Sequence, residues 1–197
     1  MEGHGKRAVA LIRPSVHFES EPVDYDGRQL RSHWLYETFG LAGDAAAAFV
    51  GRADVAGEHL VDLADRQAGL VIRADRMLHL IVEVFDPRLD RAVSLQRHLV
   101  HAARELVEER SGARLRRSGD DLFHGEGKLS VSIATVSAVS NLVHLGINVT
   151  NAGTPVRTAS LEDLGLDAAA TARDLLARFA DDLESMGKAA VKVRPVP

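Results

Sequence analysis

The sequence predicts an α+β domain in which helices pack against a mostly antiparallel mixed sheet. Three observations predict it. One long amphipathic helix, Leu89 to Arg110, is followed by strand-like segments grouped together rather than alternating strictly with helices. Those segments are rich in β-branched residues and separated by glycine or serine turns. A length of 197 residues with 46% hydrophobic and 26% charged residues matches one domain of average composition, long enough to bury a core.

Taken in order, residues 1–20 hold glycine, proline and charge without a clear period. They are expected to form a poorly ordered extension in which Ala8 to Ile12 could add an edge strand, with the domain proper over 21–197. Leu30, Trp34, Leu35 and Thr38 fall at helical spacing, which predicts a first helix from Arg28 to Phe39, stopped by Gly40. Ala45 to Val50 reads as a buried strand. Val55 to Ala68 reads as a second short helix, and Val71-Ile72 and Leu78 to Phe85 as extended segments ending at Asp86-Pro87. In the long helix Leu89, Val93, Leu95, Leu99, Ala102, Ala103, Leu106 and Val107 make one apolar face, and Ser111-Gly112 ends it. Three strand candidates follow as an antiparallel meander: Leu115 to Arg117 leading into Leu122-Phe123, Lys128 to Val136, and Asn141 to Thr150. Ser160-Leu161-Glu162-Asp163 has the form of a cap. Asp167 to Met186 is a final amphipathic helix with Gly187 as its stop.

The composition excludes several chemistries. With no cysteine there is no disulfide, thiolate metal site or cysteine nucleophile. Ala8 to Ile12 is too short for a signal h-region and no stretch approaches a membrane span, so a cytoplasmic location with no membrane partner is expected. A net charge of −4, with scattered basic residues, argues against a broad nucleic-acid surface but not against a single nucleotide.

Chemistry concentrates between Arg116 and Thr150. Lys128, behind Gly127 at a strand entrance, can present a point charge to a phosphate or carboxylate, and Asp121 can hold Mg²⁺ against that phosphate. Gly119-Asp120-Asp121 and Gly125-Glu126-Gly127 are equally good turn sequences. Gly127-Lys128 is not a P-loop, because Leu129 replaces the hydroxyl residue and a strand follows. Ser130 and Ser132 share a strand face with Ala134, leaving room for a ligand or a close-packed helix. No Gly-x-Ser-x-Gly elbow supports a serine nucleophile. Glu58-His59 with Asp62, or His98 with His101, have spacings that could bring two metal ligands to one side, though neither is a His-Glu-x-x-His motif. His79 and Glu83 share one face of an apolar strand and are expected in a cleft, with Arg73 and Arg76 as counter-charge. Arg28 and Arg31 with Trp34 read as the solvent face and core anchor of the first helix.

The segments Glu21 to Trp34, Leu115 to Leu122, Gly127 to Ser137 and Gly153 to Gly165 resemble an uncharacterised prokaryotic family, domain of unknown function 366. That resemblance implies the fold shared by biotin and lipoate protein ligases and class II aminoacyl-tRNA synthetases. Lipoate ligases carry an Asn-Asp pair, a glycine-lysine step into a strand of small residues, and a strand opening His-x-Gly. The resemblance places Asp120-Asp121, Gly127-Lys128, Ser130 with Ser132, and His144-Leu145-Gly146 at those points. Their Arg-Arg-x-x-Gly-Gly-Gly loop is missing, with Arg73-Ala74-Asp75-Arg76 near its place. The implied activity is ligase- or transferase-like, on a small-molecule carboxylate or its adenylate, with ATP and Mg²⁺. Lys128 would stabilise charge, Asp121 hold the metal and Arg73 clamp an anion. The alternative is a non-catalytic binding protein that kept the fold and lost the loop. A sheet edge or the long helix offers a surface for a homodimer.

Overall fold

The computed structural model describes residues 13–196. The expected strand Ala8 to Ile12 lies outside them. The main sheet has the order β1-β2-β3-β8-β7, with β1 (Ser15–Phe18) parallel to β2 (Ala45–Val55). β2 with β3 (Ile72–Phe85), β3 with β8 (Ser140–Asn148), and β8 with β7 (Ser130–Val136) are all antiparallel. Part of the stretch read as a loose extension is therefore a sheet strand. A second sheet, β4 (Arg116–Ser118), β5 (Asp121–His124) and β6 (Gly127–Lys128), sits beside β7. The meander expected from the sequence is present but divided between two sheets.

Two long helices cover one face: α3 (Leu89–Ser111) and α4 (Ala168–Val191). Leu95, Leu99, Ala103, Leu106 and Phe179 pack there against Leu78, Leu80, Val82, Val143, Leu145 and Ile147, as the 3.6 and 2.0 periods require. The alanines of β2 serve both faces. Ala46 and Ala48 join the core with the helices, while Ala45 and Ala47 join a second cluster with Leu35, Phe49 and Ile81. Arg178 with Glu109, at 2.5 Å, and His98 with Asp182, at 3.0 Å, tie α3 to α4 on the solvent side.

The first helix is shorter than its periodicity suggests. α1 spans only Trp34–Phe39, because His33 before it takes a left-handed conformation (φ 63°) and Arg28 to Ser32 form turns. Arg28 and Arg31 are thus turn residues, while Leu35 is the helix's buried anchor beside a partly buried Trp34. Val55 ends β2, and the expected second helix reduces to a 3₁₀ turn (Gly57–His59) and α2 (Leu63–Gln67), whose first turn Asp62 caps. Gly187 does not stop α4, which runs on to Val191. The cap at Ser160 is reciprocal: its N–H donates to Asp163 Oδ2 at 2.9 Å, and Asp163 N–H donates to Ser160 Oγ at 3.3 Å. No helix among the described residues is long and apolar enough to cross a membrane.

Candidate active site

Lys128 and Asp121 meet because of strand pairing. Lys128 lies across from Phe123 on β5, and Asp121, two residues back on the same face, is its diagonal neighbour. The ammonium Nζ sits 2.8 Å from Asp121 Oδ2. The Lys128 backbone is clamped as well. Its N–H donates to Arg157 O at 3.1 Å, and its carbonyl accepts from Ala159 N–H at 3.1 Å and Asn148 Nδ2 at 3.0 Å. Gly127 is required for that clamp, since a Cβ there would lie 2.7 Å from the Thr158 carbonyl oxygen. Burial pushes the Asp121 carboxyl up from its ordinary range, Lys128 opposes the shift, and Asp120 and Asp65 add to it.

This pair lies at the edge of a cavity of about 640 Å³ against the sheet face turned away from α3 and α4. That volume falls within the range of small-molecule sites, roughly 300–1,000 Å³. Met77, Val131, Ile133 and Ile72 supply apolar lining, and Gly146 lets Met77 lie across β8, because a Cβ there would lie 2.4 Å from its sulfur. The walls are the segment joining β2 to β3 and the loop Thr154 to Thr158. Leu70 and Val156 line these walls while 52% and 58% exposed.

Of the residues singled out in the sequence, Lys128, Asp121, Asp120, Ser132, His144, Arg73, His59 and Asp62 line the cavity. Several residues also have structural work. Gly127 backs Lys128 from behind. Ser130 is buried and its Oγ accepts from Leu122 N–H at 3.0 Å, stitching β7 to β5. Ser132 Oγ accepts from Gln96 Nε2 at 2.8 Å and donates to Asp120 Oδ2 at 3.1 Å, so the room beside these small residues is taken by α3 and β5. Asp120 is further held by Gln96 at 2.8 Å and Arg97 at 3.1 Å. Glu83 lies outside the cavity. Its two carboxylate oxygens accept from His33 N–H at 2.9 and 3.0 Å, and Oε1 from Ser140 Oγ at 2.7 Å. The counter-charge expected for it is spent elsewhere, Arg73 on Asp54 at 2.9 Å and Arg76 on Glu162 at 3.6 Å.

His79 sits just behind the cavity floor. Its Nδ1 is 3.1 Å from His144 Nε2, and Tyr25 stacks on His144 with ring centroids 4.0 Å apart and planes 8° from parallel. Burial pushes His79 down to about 3 and His144 well below its ordinary value, so both rings are uncharged near neutrality. Sequence reasoning missed Tyr25, Gln96 and Asn148. Tyr25 reaches the floor because its segment extends the parallel pairing beyond β1, bridging to Ala53, and no local pattern announces that. Of the groups proposed as metal ligands, His98 pairs with Asp182 and His101 with Glu105, while His59 and Asp62 both line the cavity. Among the described residues no group of three His, Asp or Glu could hold a metal ion.

This mixed sheet backed by two long helices superposes on solved lipoate and biotin protein ligases. The putative lipoate protein ligase Ta0514 from T. acidophilum, solved with bound lipoic acid, superposes with a TM-score of 0.59 at 17% identity, covering 87% of this chain and 86% of that one. Biotin protein ligase from Aquifex aeolicus, solved with biotin and ATP, gives 0.58 at 16% identity, covering 87% and 72%. These likenesses establish the fold. Within it, the chain belongs to the family described as Domain of unknown function (DUF366), whose model matches residues 15–194. It is similar to a protein of unknown function from Pyrococcus horikoshi, with a TM-score of 0.88 at 37% identity, covering 93% of this chain and 100% of that one.

Proposed function

We propose that the chain is a ligase- or acyltransferase-like enzyme that holds a small carboxylate, or its adenylate, in the cavity over the sheet. The observation that carries this reading is the Lys128–Asp121 pair at the edge of a cavity with extensive apolar lining. The apolar lining suits an aliphatic body and the ammonium suits an anionic head. In adenylation a carboxylate oxygen attacks the α-phosphorus of ATP, the bond to the β-phosphate bridge breaks, and pyrophosphate leaves. Lys128 would stabilise the charge that grows on the phosphoryl oxygens during that step. Ligands named in the solved structures of this fold, lipoic acid, biotin and ATP, support the same classes.

Mg²⁺ is commonly bound through one or two carboxylates together with phosphate oxygens and water. Asp121 fits the role of that single carboxylate. Arg73 would have to leave Asp54 before it could clamp an anion, and this, with the missing glycine-rich loop, favours the second reading of a binding protein without catalysis.

Thermal shift with Mg²⁺-ATP and a panel of lipoate, octanoate, biotin and amino acids separates the two, paired with a pyrophosphate-release assay. The enzyme reading expects one acid to raise the melting midpoint and release pyrophosphate, with both effects lost in Lys128→Ala. Saturating a native-state site a hundredfold over its Kd contributes about 2.7 kcal/mol, enough to see. An acid that shifts the midpoint without pyrophosphate release supports the binding protein. A flat panel overturns the enzyme reading and leaves the binding protein, with a ligand outside this panel, ahead.

A further inference from the structure

The cavity floor contains a feature that the Lys128 chemistry does not use. His79, His144 and Tyr25 are almost fully buried, at 0%, 4% and 4% exposure, where apolar side chains would pack more cheaply. His79 Nε2 has no hydrogen-bond partner, so the pair is only half satisfied, and a buried polar group left in that state calls for an explanation.

We infer that His144 is a specificity residue of the cavity, oriented by His79 and Tyr25 to form a hydrogen bond with a hydroxyl or amide group on the apolar body of the ligand. His144 lines the cavity, whereas His79 lies behind it. The hydrogen bond between His79 Nδ1 and His144 Nε2 holds a single proton, and its direction fixes both tautomers. Whichever ring donates, Nε2 of His144 is taken by His79, and Nδ1 is its remaining polar atom. A hydroxyl or an amide, each able to donate and to accept, suits that atom in either tautomer. Tyr25, stacked at 8°, blocks one ring face and holds the imidazole plane in place. The ligand class that follows is an aliphatic carboxylate with a hydroxyl or amide group in its chain. This rests on the carboxylate reading above and narrows it.

The test compares octanoate with its 6-, 7- and 8-hydroxy derivatives by calorimetric titration in Mg²⁺-ATP, on the wild-type chain, His144→Phe and His79→Leu. At least one hydroxy acid should bind about fivefold or more tighter than octanoate, the worth of one good hydrogen bond. That preference should vanish in His144→Phe, and it should fall in His79→Leu, where the ring loses its orienting partner. Circular dichroism and melting identify folded variants, and if His144→Phe does not fold, His79→Leu carries the test. Octanoate binding as tightly as every hydroxy acid overturns the inference but leaves the carboxylate reading standing. A preference that survives in the folded variants also overturns it. No binding by any of the acids overturns both.

Discussion

The two faces of the main sheet are built by different rules. On the helix side, Leu78, Leu80, Val82, Leu99, Leu145 and Phe179 belong to one continuous cluster, with interhelical ion pairs outside it and the hydrogen-bonded Gln96, Ser130 and Ser132 at its β7 edge. On the other side the apolar cluster is smaller and stops at the cavity, beneath which lie two uncharged histidines and a tyrosine. The segment over the cavity from Gly57 to Leu70 buries only Leu60. One face is packed for stability. The other gives up packing to keep a cavity, a buried polar pair and exposed apolar walls, a pattern expected where a ligand completes the structure.

The largest expected difference between the faces is a core deletion. Phe179→Ala should cost about 3–5 kcal/mol in urea denaturation, in line with other large-to-small changes at fully buried aromatics. A loss below about 1 kcal/mol would break the view that the helix face carries the stability.

Acid sensitivity should belong to the cavity face. His79 in the folded chain is held at about 3 against an ordinary 6.5, so below 6.5 the unfolded chain takes up a proton that the folded chain refuses. The histidine contribution therefore costs nothing above that pH, and stability falls as pH drops from about 6.5 toward about 3. The double variant His79→Leu with His144→Leu should flatten this part of the stability-pH curve. Removing both partners together leaves no orphaned group, so near neutral pH its stability should change by no more than about 1 kcal/mol. An acid limb as steep as that of the wild type would assign the loss to other groups.

Gly127→Ala sharpens the role of the clamp. A methyl group 2.7 Å from the Thr158 carbonyl has only backbone to displace, so about 1–3 kcal/mol of destabilisation is expected, together with a weaker response to Mg²⁺-ATP and acid. Lys128→Ala should cost less, about 0–1 kcal/mol, because the ion pair is partly solvated. Its clearer signature is a further rise in the Asp121 pKa, read by NMR titration, since burial then acts without the ammonium opposing it. An unchanged Asp121 titration would show that the two groups do not interact in solution. The smallest effect belongs to the cavity-side cover: Leu63, 69% exposed on α2, should tolerate Leu63→Ser within about 0.5 kcal/mol.

The amino-acid sequence by itself determined the elements whose code is local. The span of α3 follows from a single apolar stripe, and β7, β8 and the Leu78 to Phe85 part of β3 follow from apolar, β-branched runs between turns, whereas Arg73 to Met77, which joins that part to Ile72 in one strand, carries no such run. The site was partly legible too, because Asp121 and Lys128 are seven positions apart in one hairpin, close enough for strand period and turn chemistry to bring them together. Where long-range partners decide, the sequence was silent. α1 begins at Trp34 because the His33 N–H is taken by Glu83, fifty residues away, which draws Glu83 out of the cleft where its strand period had suggested it. α4 passes through Gly187 because that end of the helix is exposed, where a helical glycine costs only about 1 kcal/mol relative to alanine. Only the tertiary structure could show that Ser130 and Ser132 are packed against neighbours, that Arg73 is paired with Asp54, and that His79, His144 and Tyr25 form one stack. Local propensity and periodicity say which face a side chain points to. What it meets there is decided by strands and loops far away in the chain, whose positions are set by the packing of the whole sheet.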